Sequence, residues 1–553
     1  MSKQHKRSKA PQVHIGRELI DEVWSLGLGI YLFAVLVVLP LYTYDHYWNM
    51  AWQKWKVYLS STCCMLIFAI GLWMVGRVYR FCKRKSQDKE ATPKNIVDLC
   101  MMLYGVALIL SFLTCQDKRA AWMGAEGWYM GTVPQLIMVA TYFVFCKRKV
   151  SPFILLIFHG GASAICYFYG ICQRLGFDWI HLYYVMPAEV KRDYLSFIGN
   201  RTWFSAYICI AFPIGVYLYW YCEKGWKCIL AGVYTFLAFM CMVTVNSDSM
   251  YAGLMVVMYV LAVFSIGYID KWKRFWELVV MLFGAGLLMH LLLQVWFDAT
   301  VNYRGLTRLF LNVKITLPMV LIAVVVRLGL SLADGSLKCK FCKSLKALKI
   351  PLGVEERKKK QWKVLIVSGI LLVLLILLIW LNSSGVLEFL LGHSLNNSYL
   401  LFNDSWGDYR GHTWKMTLQM FGDLPLTQKL FGVGPDCYGY GAYSNPEYAG
   451  ILQAFWGDQV LLNAHNELLN QLFCVGILGG LIYLGLFLAV LYECLVRIDR
   501  NKIHPLVPAI GLCVLAYMAH NFFCYQQICA TPVLFMLMGM AVQFKKNSME
   551  DKR

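Results

Sequence analysis

The stretch Asn463–Gly480 reads NAHNELLNQLFCVGILGG: a histidine, a carboxylate and several side-chain amides stand ahead of a long uncharged apolar run. Such a run forms a membrane helix, and its first turn presents unpaired N–H groups with a partial positive charge. His465, Asn466 and Glu467 therefore stand where anions are favoured and an imidazole stays neutral. A neutral imidazole is a general base at physiological pH, so His465 is the first candidate for proton abstraction and Glu467 the second. Asn463 and Asn466 are placed to orient it by hydrogen bonding. Upstream, DSWGDYRGHTWKMTLQMFGDLP reads as a short helix, capped by Asp404 or Ser405 and stopped by Gly422 and Pro425. Arg410, Trp414, Thr417 and Phe421 share one face of it. A cation on an aromatic stripe is suited to hold an anion, with Trp414 as its neighbour, because guanidinium offers planar, bidentate donors. Between the two stretches, the glycines and Pro435 of LFGVGPDCYGYGAY impose turns and allow close backbone approach.

What positions these groups is a membrane. The 553 residues are 59% hydrophobic and 15% charged, with a mean hydropathy of +0.53, and apolar runs of about twenty residues recur along the chain. We expect an all-α polytopic membrane protein with about fourteen transmembrane helices. Its parts are cytoplasmic tails at 1–22 and 545–553, a bundle of about eleven helices over 23–382 with a basic linker near 333–362, an extracytoplasmic loop over 383–463, and about three helices over 464–544. The first run, Val23–Tyr42, lacks a cleavage site and reads as an anchor. The net charge of +20 gathers in runs such as RFCKRKSQDK from Arg80, CKRK from Cys146 and EERKKKQWK from Glu355. All fall on the inner side when the N-terminus is cytoplasmic, as topology determinants and contacts to membrane lipids, so nucleic acid is no partner. The long loop carries Trp406, Trp414 and Trp456, a composition that folds, here against the outer surface of the bundle.

No cofactor or metal is expected. The chain has no glycine-rich loop followed by Lys and Ser or Thr, and its external segments have no Asp-x-Asp pair. CKFC at Cys339–Cys342 is half of a zinc spacing without a second half in its loop. The other cysteines sit mostly within spans, as small apolar residues.

RGHTW from Arg410, Phe421, Pro425, GVGPD from Gly432 and AHNELLNQLFCVGILGG from Ala464 together resemble the O-antigen ligase and polymerase family of bacterial membrane glycosyltransferases. AAWMGAEGWYMG from Ala120 resembles its external glycine-rich turn, GNRTWFSAY from Gly199 the start of a later span, and TPVLFMLMGMA from Thr531 its closing helix. The resemblance implies a GT-C-like fold in the cytoplasmic membrane and transfer of a glycan from a polyprenyl diphosphate carrier to an acceptor hydroxyl on the external face, without metal. It implies that Arg410 stabilises the diphosphate while His465 takes the proton. Family members carry a Ser-Arg pair at the start of a middle span; here NSDSMYAGLM from Asn246 puts Met250 in that place. Arg201, Arg304 and Arg308 lie on the same side and are the alternatives. A rival class is a lipid-linked oligosaccharide flippase or other secondary transporter. Against it, no internal repeat is visible and charge within spans is sparse, with Arg327 near a span end.

Overall fold

Backbone polar groups cannot be left unpaired in a bilayer, so an apolar chain of this kind closes its hydrogen bonds within helices. The structure, a computed structural model, describes residues 12–82, 95–296, 303–336, 353–500 and 502–550. Cys339–Cys342 and most of the basic run from Arg80 lie outside them. Helices dominate; the one sheet among the described residues is a two-stranded antiparallel pair, Tyr194–Leu195 with Gly199–Asn200.

Among the described residues eleven helices are long and apolar enough to cross a membrane, against the fourteen expected. The difference has a physical origin. Thr132–Lys147 and Leu506–Asn521 are apolar but only 16 residues each, about 24 Å of rise against a hydrocarbon core of about 30 Å. Thr531–Glu550 is long enough but ends in the polar sequence QFKKNSME.

Arg201–Tyr221 is the central helix, with 89% of its apolar window buried. It packs against Leu506–Asn521, Trp226–Val245 and Asp248–Ser265. Glu355–Ser383 is its opposite: no residue from 361 to 381 is buried. Two cations sealed inside the bundle answer to helix ends, whose last carbonyls lack intrahelical donors. Lys54 Nζ donates to Pro40 O (2.9 Å) and Tyr42 O (2.6 Å). Arg174, 1% exposed, donates to Thr244 O (3.1 Å) and Arg192 O (3.0 Å). Arg327 pairs with Glu277 (2.7 Å).

The loop between Ser383 and Glu467 folds into short helices, as its aromatic content implied: Val386–Leu391, Trp406–Asp423, Leu426–Phe431, Tyr438–Tyr443 and Pro446–Trp456. It does not merely lie on the bundle. The helix Glu467–Leu491 is broken at Gly476 (φ 78°, ψ 179°), and the carbonyls released by the break find donors in the loop. Phe473 O accepts from Val433 N (3.1 Å) and Cys474 O from Gly434 N (2.9 Å), while Ser111 Oγ also donates to Cys474 O (3.0 Å). The approach is backbone to backbone. A Cβ on Gly432 (φ 82°) would fall 2.2 Å from Cys474 O, and one on Gly476 2.3 Å from Leu430 O. Glycine is required at both places, and GVGPD is a plug fitted into a discontinuous helix.

Candidate functional site

Six connections meet at one end of the bundle. Asp436 of the long loop binds the 124–131 turn, Arg410 binds the 522–530 turn, and Gln527 Nε2 donates to Trp203 O (3.4 Å). Tyr399 of the loop reaches Asp248 (3.3 Å), whose carboxylate also accepts from Leu306 N (2.9 Å).

The Arg410 helix is held by aromatic packing. Trp414 lies 5.3 Å from Trp406, 5.5 Å from Phe522 and 6.2 Å from Phe523, centroid to centroid. Such pairs contribute about 0.5–1.5 kcal/mol each beyond burial. The expected cap is absent: Ser405 makes no side-chain cap and Asp404 instead pairs with Lys415 (2.8 Å). Gly407, Asp408 and Tyr409 take left-handed conformations, so the regular helix runs from Arg410. Thr417 on the same face is buried and bonds the Tyr438 hydroxyl (2.7 Å). Arg410 Nε donates to Phe523 O (2.8 Å) and Nη1 to Gly407 O. Among the described residues Nη2 has no acceptor and the guanidinium forms no ion pair. A half-buried arginine with two carbonyls and no carboxylate has positive charge to spare.

His465 faces the same turn. Its backbone is left-handed (φ 47°) and its N–H donates to Asn463 Oδ1 (3.0 Å). Asn466 Oδ1 accepts from Leu469 N (3.0 Å), capping the next helix. The amides thus act on the backbone and fix where the ring stands. The half-buried imidazole meets Tyr525 edge-on at 5.4 Å. Burial, then the Arg410 cation, push its pKa from 6.5 down to about 3, so it is neutral, as expected from the helix terminus but chiefly for these other reasons. Glu467 is turned inward. It is 4% exposed, with one oxygen accepting from Tyr483 and the other from Asn521.

The arginine alternatives separate. Arg201 pairs with Asp193 (3.3 Å) and reaches Asn246 O (3.4 Å); Arg304 is exposed, its N–H held by Asn246 Oδ1 (3.0 Å). Both flank the 246–249 turn, and Ser249 Oγ of that turn lies 3.5 Å from Cys524 Sγ, next to Arg410's partner Phe523. Arg308 is exposed on the short helix Gly305–Phe310. Met250 is fully buried, so a cation there would point into the core.

Sequence reasoning assigned no role to Trp128, Tyr525 or Asp436. Trp128 packs on Tyr525 at 4.5 Å, behind His465. Asp436 Oδ2 accepts from Ala125 N (2.9 Å) and Met130 N (3.0 Å); burial raises its pKa to about 7 against the pull of those two donors. For Trp128 and Asp436 a signal was present in GWYMG and GVGPD, where neither is the glycine or proline that forms the turn.

The O-antigen ligase family model matches residues 356–484, and a search of curated proteins finds no match to the chain. The matched segment contains the Arg410 helix, the glycine plug and His465, so the stretch in which Arg410 and His465 are brought to one turn is the stretch similar to the O-antigen ligase family.

Proposed function

We propose that this protein is a glycosyltransferase of the O-antigen ligase and polymerase type. It crosses the cytoplasmic membrane about fourteen times in a GT-C-like arrangement, the two 16-residue helices and Thr531–Glu550 included, and works on the external face. Its donor is a glycan on a polyprenyl diphosphate, its acceptor a sugar hydroxyl, and no metal takes part. The reading rests on one observation above all: an arginine without a counter-ion stands beside a neutral histidine, in the segment that matches the family.

In this reading the acceptor oxygen attacks the anomeric carbon as the bond to the diphosphate oxygen breaks. The hydroxyl proton passes to His465, and the leaving diphosphate collects charge against the free N–H groups of Arg410. An imidazole at about 3 is by itself a weak base. A bound diphosphate places negative charge beside Arg410 and the imidazole and draws the imidazole's pKa upward against the burial that chiefly lowers it, so donor binding favours proton abstraction. Arg201 or Arg304 at the Asn246 turn supplies the second cation in place of Met250; Trp414 holds Arg410 in position; Asn463 and Asn466 set the His465 backbone.

The test is Arg410→Lys, which keeps the charge and loses the fork. Transfer in membranes at matched protein levels should fall about 10²-fold; full activity with normal donor affinity would refute the assignment. Sidedness is tested separately. An exposed Ser444→Cys, in a background without other accessible thiols, should label with an impermeant reagent in intact cells, and protection there would invert the topology.

A further inference from the structure

Behind Tyr525 lies a small polar cavity of about 20 Å³, room for one water-sized group. Its walls include Asp436, Asn470, Gln471 and Gln526, with the rings of Trp128 and Tyr525. It shares Asn463 with the site above, the same side chain that receives the His465 N–H. Three of its lining residues, Trp128, Asp436 and Asn470, keep partial exposure.

Its hydrogen-bonding capacity is only partly used. Gln526 Nε2 donates to Tyr483 (3.1 Å), and Asn470 Oδ1 accepts from Ala464 N (3.1 Å). Gln471 is 3% exposed, yet among the described residues its Oε1 has no hydrogen-bond partner. A buried amide oxygen left unpaired costs about 1–3 kcal/mol, which a donor from outside would relieve. Amide groups that give and take hydrogen bonds, an acceptor carboxylate and an edge-to-face pair of aromatic rings are the chemistry that binds a sugar: hydroxyls to the amides, C–H surface to the rings.

We propose that this cavity receives one hydroxyl of the sugar attached to the diphosphate, so that it recognises the glycan of the donor rather than its lipid. This rests on the transfer reading of the Arg410–His465 site. The hydroxyl donates to Gln471 Oε1 or Asp436 and accepts from an amide N–H, while Arg410 engages the diphosphate. A pocket built to pair a hydroxyl discriminates strongly against a ligand without one, because its own polar groups are then left unpaired.

The experiment compares two probes on the full-length protein in lipid nanodiscs: bare polyprenyl diphosphate, and the lipid-linked glycan fraction extracted from the host's membranes. The wild type should bind the glycan-bearing lipid at least about tenfold more tightly. Gln471→Met, close in size and without the amide, should reduce that preference to about threefold or less while leaving affinity for the bare lipid unchanged. Asn470→Asp serves where Gln471→Met does not fold. It keeps the acceptor for Ala464 N, removes the amide donor, and should reduce the preference likewise. Retention of the full preference by a folded variant, or its absence in the wild type, overturns the subsite and leaves the cavity to an ordered water. Failure of the wild type to bind either lipid overturns the transfer reading beneath it.

Discussion

The ledge that carries Arg410 and His465 and the cavity beneath it share a wall, Tyr525, yet treat charge in opposite ways. On the ledge a guanidinium is left with only carbonyl partners and an imidazole is kept neutral. In the cavity a carboxylate is gripped by two backbone N–H groups and surrounded by amides, with its pKa raised to about 7. The contrast shows where the fold holds interaction energy back. The ledge has positive charge to give to an anion, whereas the cavity has neutral hydrogen bonds to give to a hydroxyl. The same glycine plug sets both, since GVG pairs with the broken helix below His465 and Asp436, two residues further on, lines the cavity.

Breaking the plug should therefore collapse both regions together, the largest effect expected. Gly432→Ala sets a β-carbon against the Cys474 carbonyl at a left-handed position. It should cost about 3 kcal/mol or more, seen as loss of folded protein in thermal unfolding. Gly450→Ala is the control. Nothing lies within 4 Å of that site in the helix Pro446–Trp456, and stability there should hold or rise by about 0.5–1 kcal/mol.

Loosening the ledge alone is the next step down. Trp414→Leu removes the contacts that seat the Arg410 helix on Phe522 and Phe523. Transfer should slow about tenfold through misplacement of the guanidinium, while the preference for glycan-bearing over bare lipid survives. Loss of the preference as well would mean that the two regions are one.

The pH dependence of stability has opposite signs in the two places. Asp436 titrates at 3.8 when unfolded and about 7 when folded. The folded state then holds the extra proton, and stability falls as pH rises through that window. Asp436→Asn should raise the Tm relative to wild type by nothing at pH 4 and by its full amount near pH 7. His465 runs the other way, from 6.5 unfolded to about 3 folded. The unfolded state holds the proton there, so stability rises with pH up to 6.5. His465→Gln should raise the Tm near pH 4 and leave it unchanged at pH 7. Unfolding curves across pH 4–8 check both signs.

Much of this was legible in the sequence because it depends on local pattern. Apolar runs marked the helices, and the order of Arg410, GVGPD and His465 marked the candidate site. What escaped depends on distant partners. No periodicity announces that Gly476 breaks its helix to receive Gly432, or that Glu467 turns inward to Tyr483 and Asn521 rather than toward the ledge. The cap expected at Asp404 or Ser405 was lost to an ion pair with Lys415, in a strained turn that only tertiary packing maintains. Trp128, Tyr525 and Phe523 lie outside the segment matched to the family, residues 356–484. Their roles follow from where the bundle places the 124–131 and 522–530 turns.

The role proposed for His465 is to take the acceptor proton beside Arg410. It is tested most directly by glycan transfer in membranes carrying His465→Gln, with protein level and donor binding matched to wild type. Glutamine keeps the size and some hydrogen bonding but cannot act as the base. Donor binding should persist while transfer falls at least about 10²-fold. Transfer within about twofold of wild type would contradict that role, make His465 an anchor at the membrane surface, and leave the proton without its acceptor on the ledge.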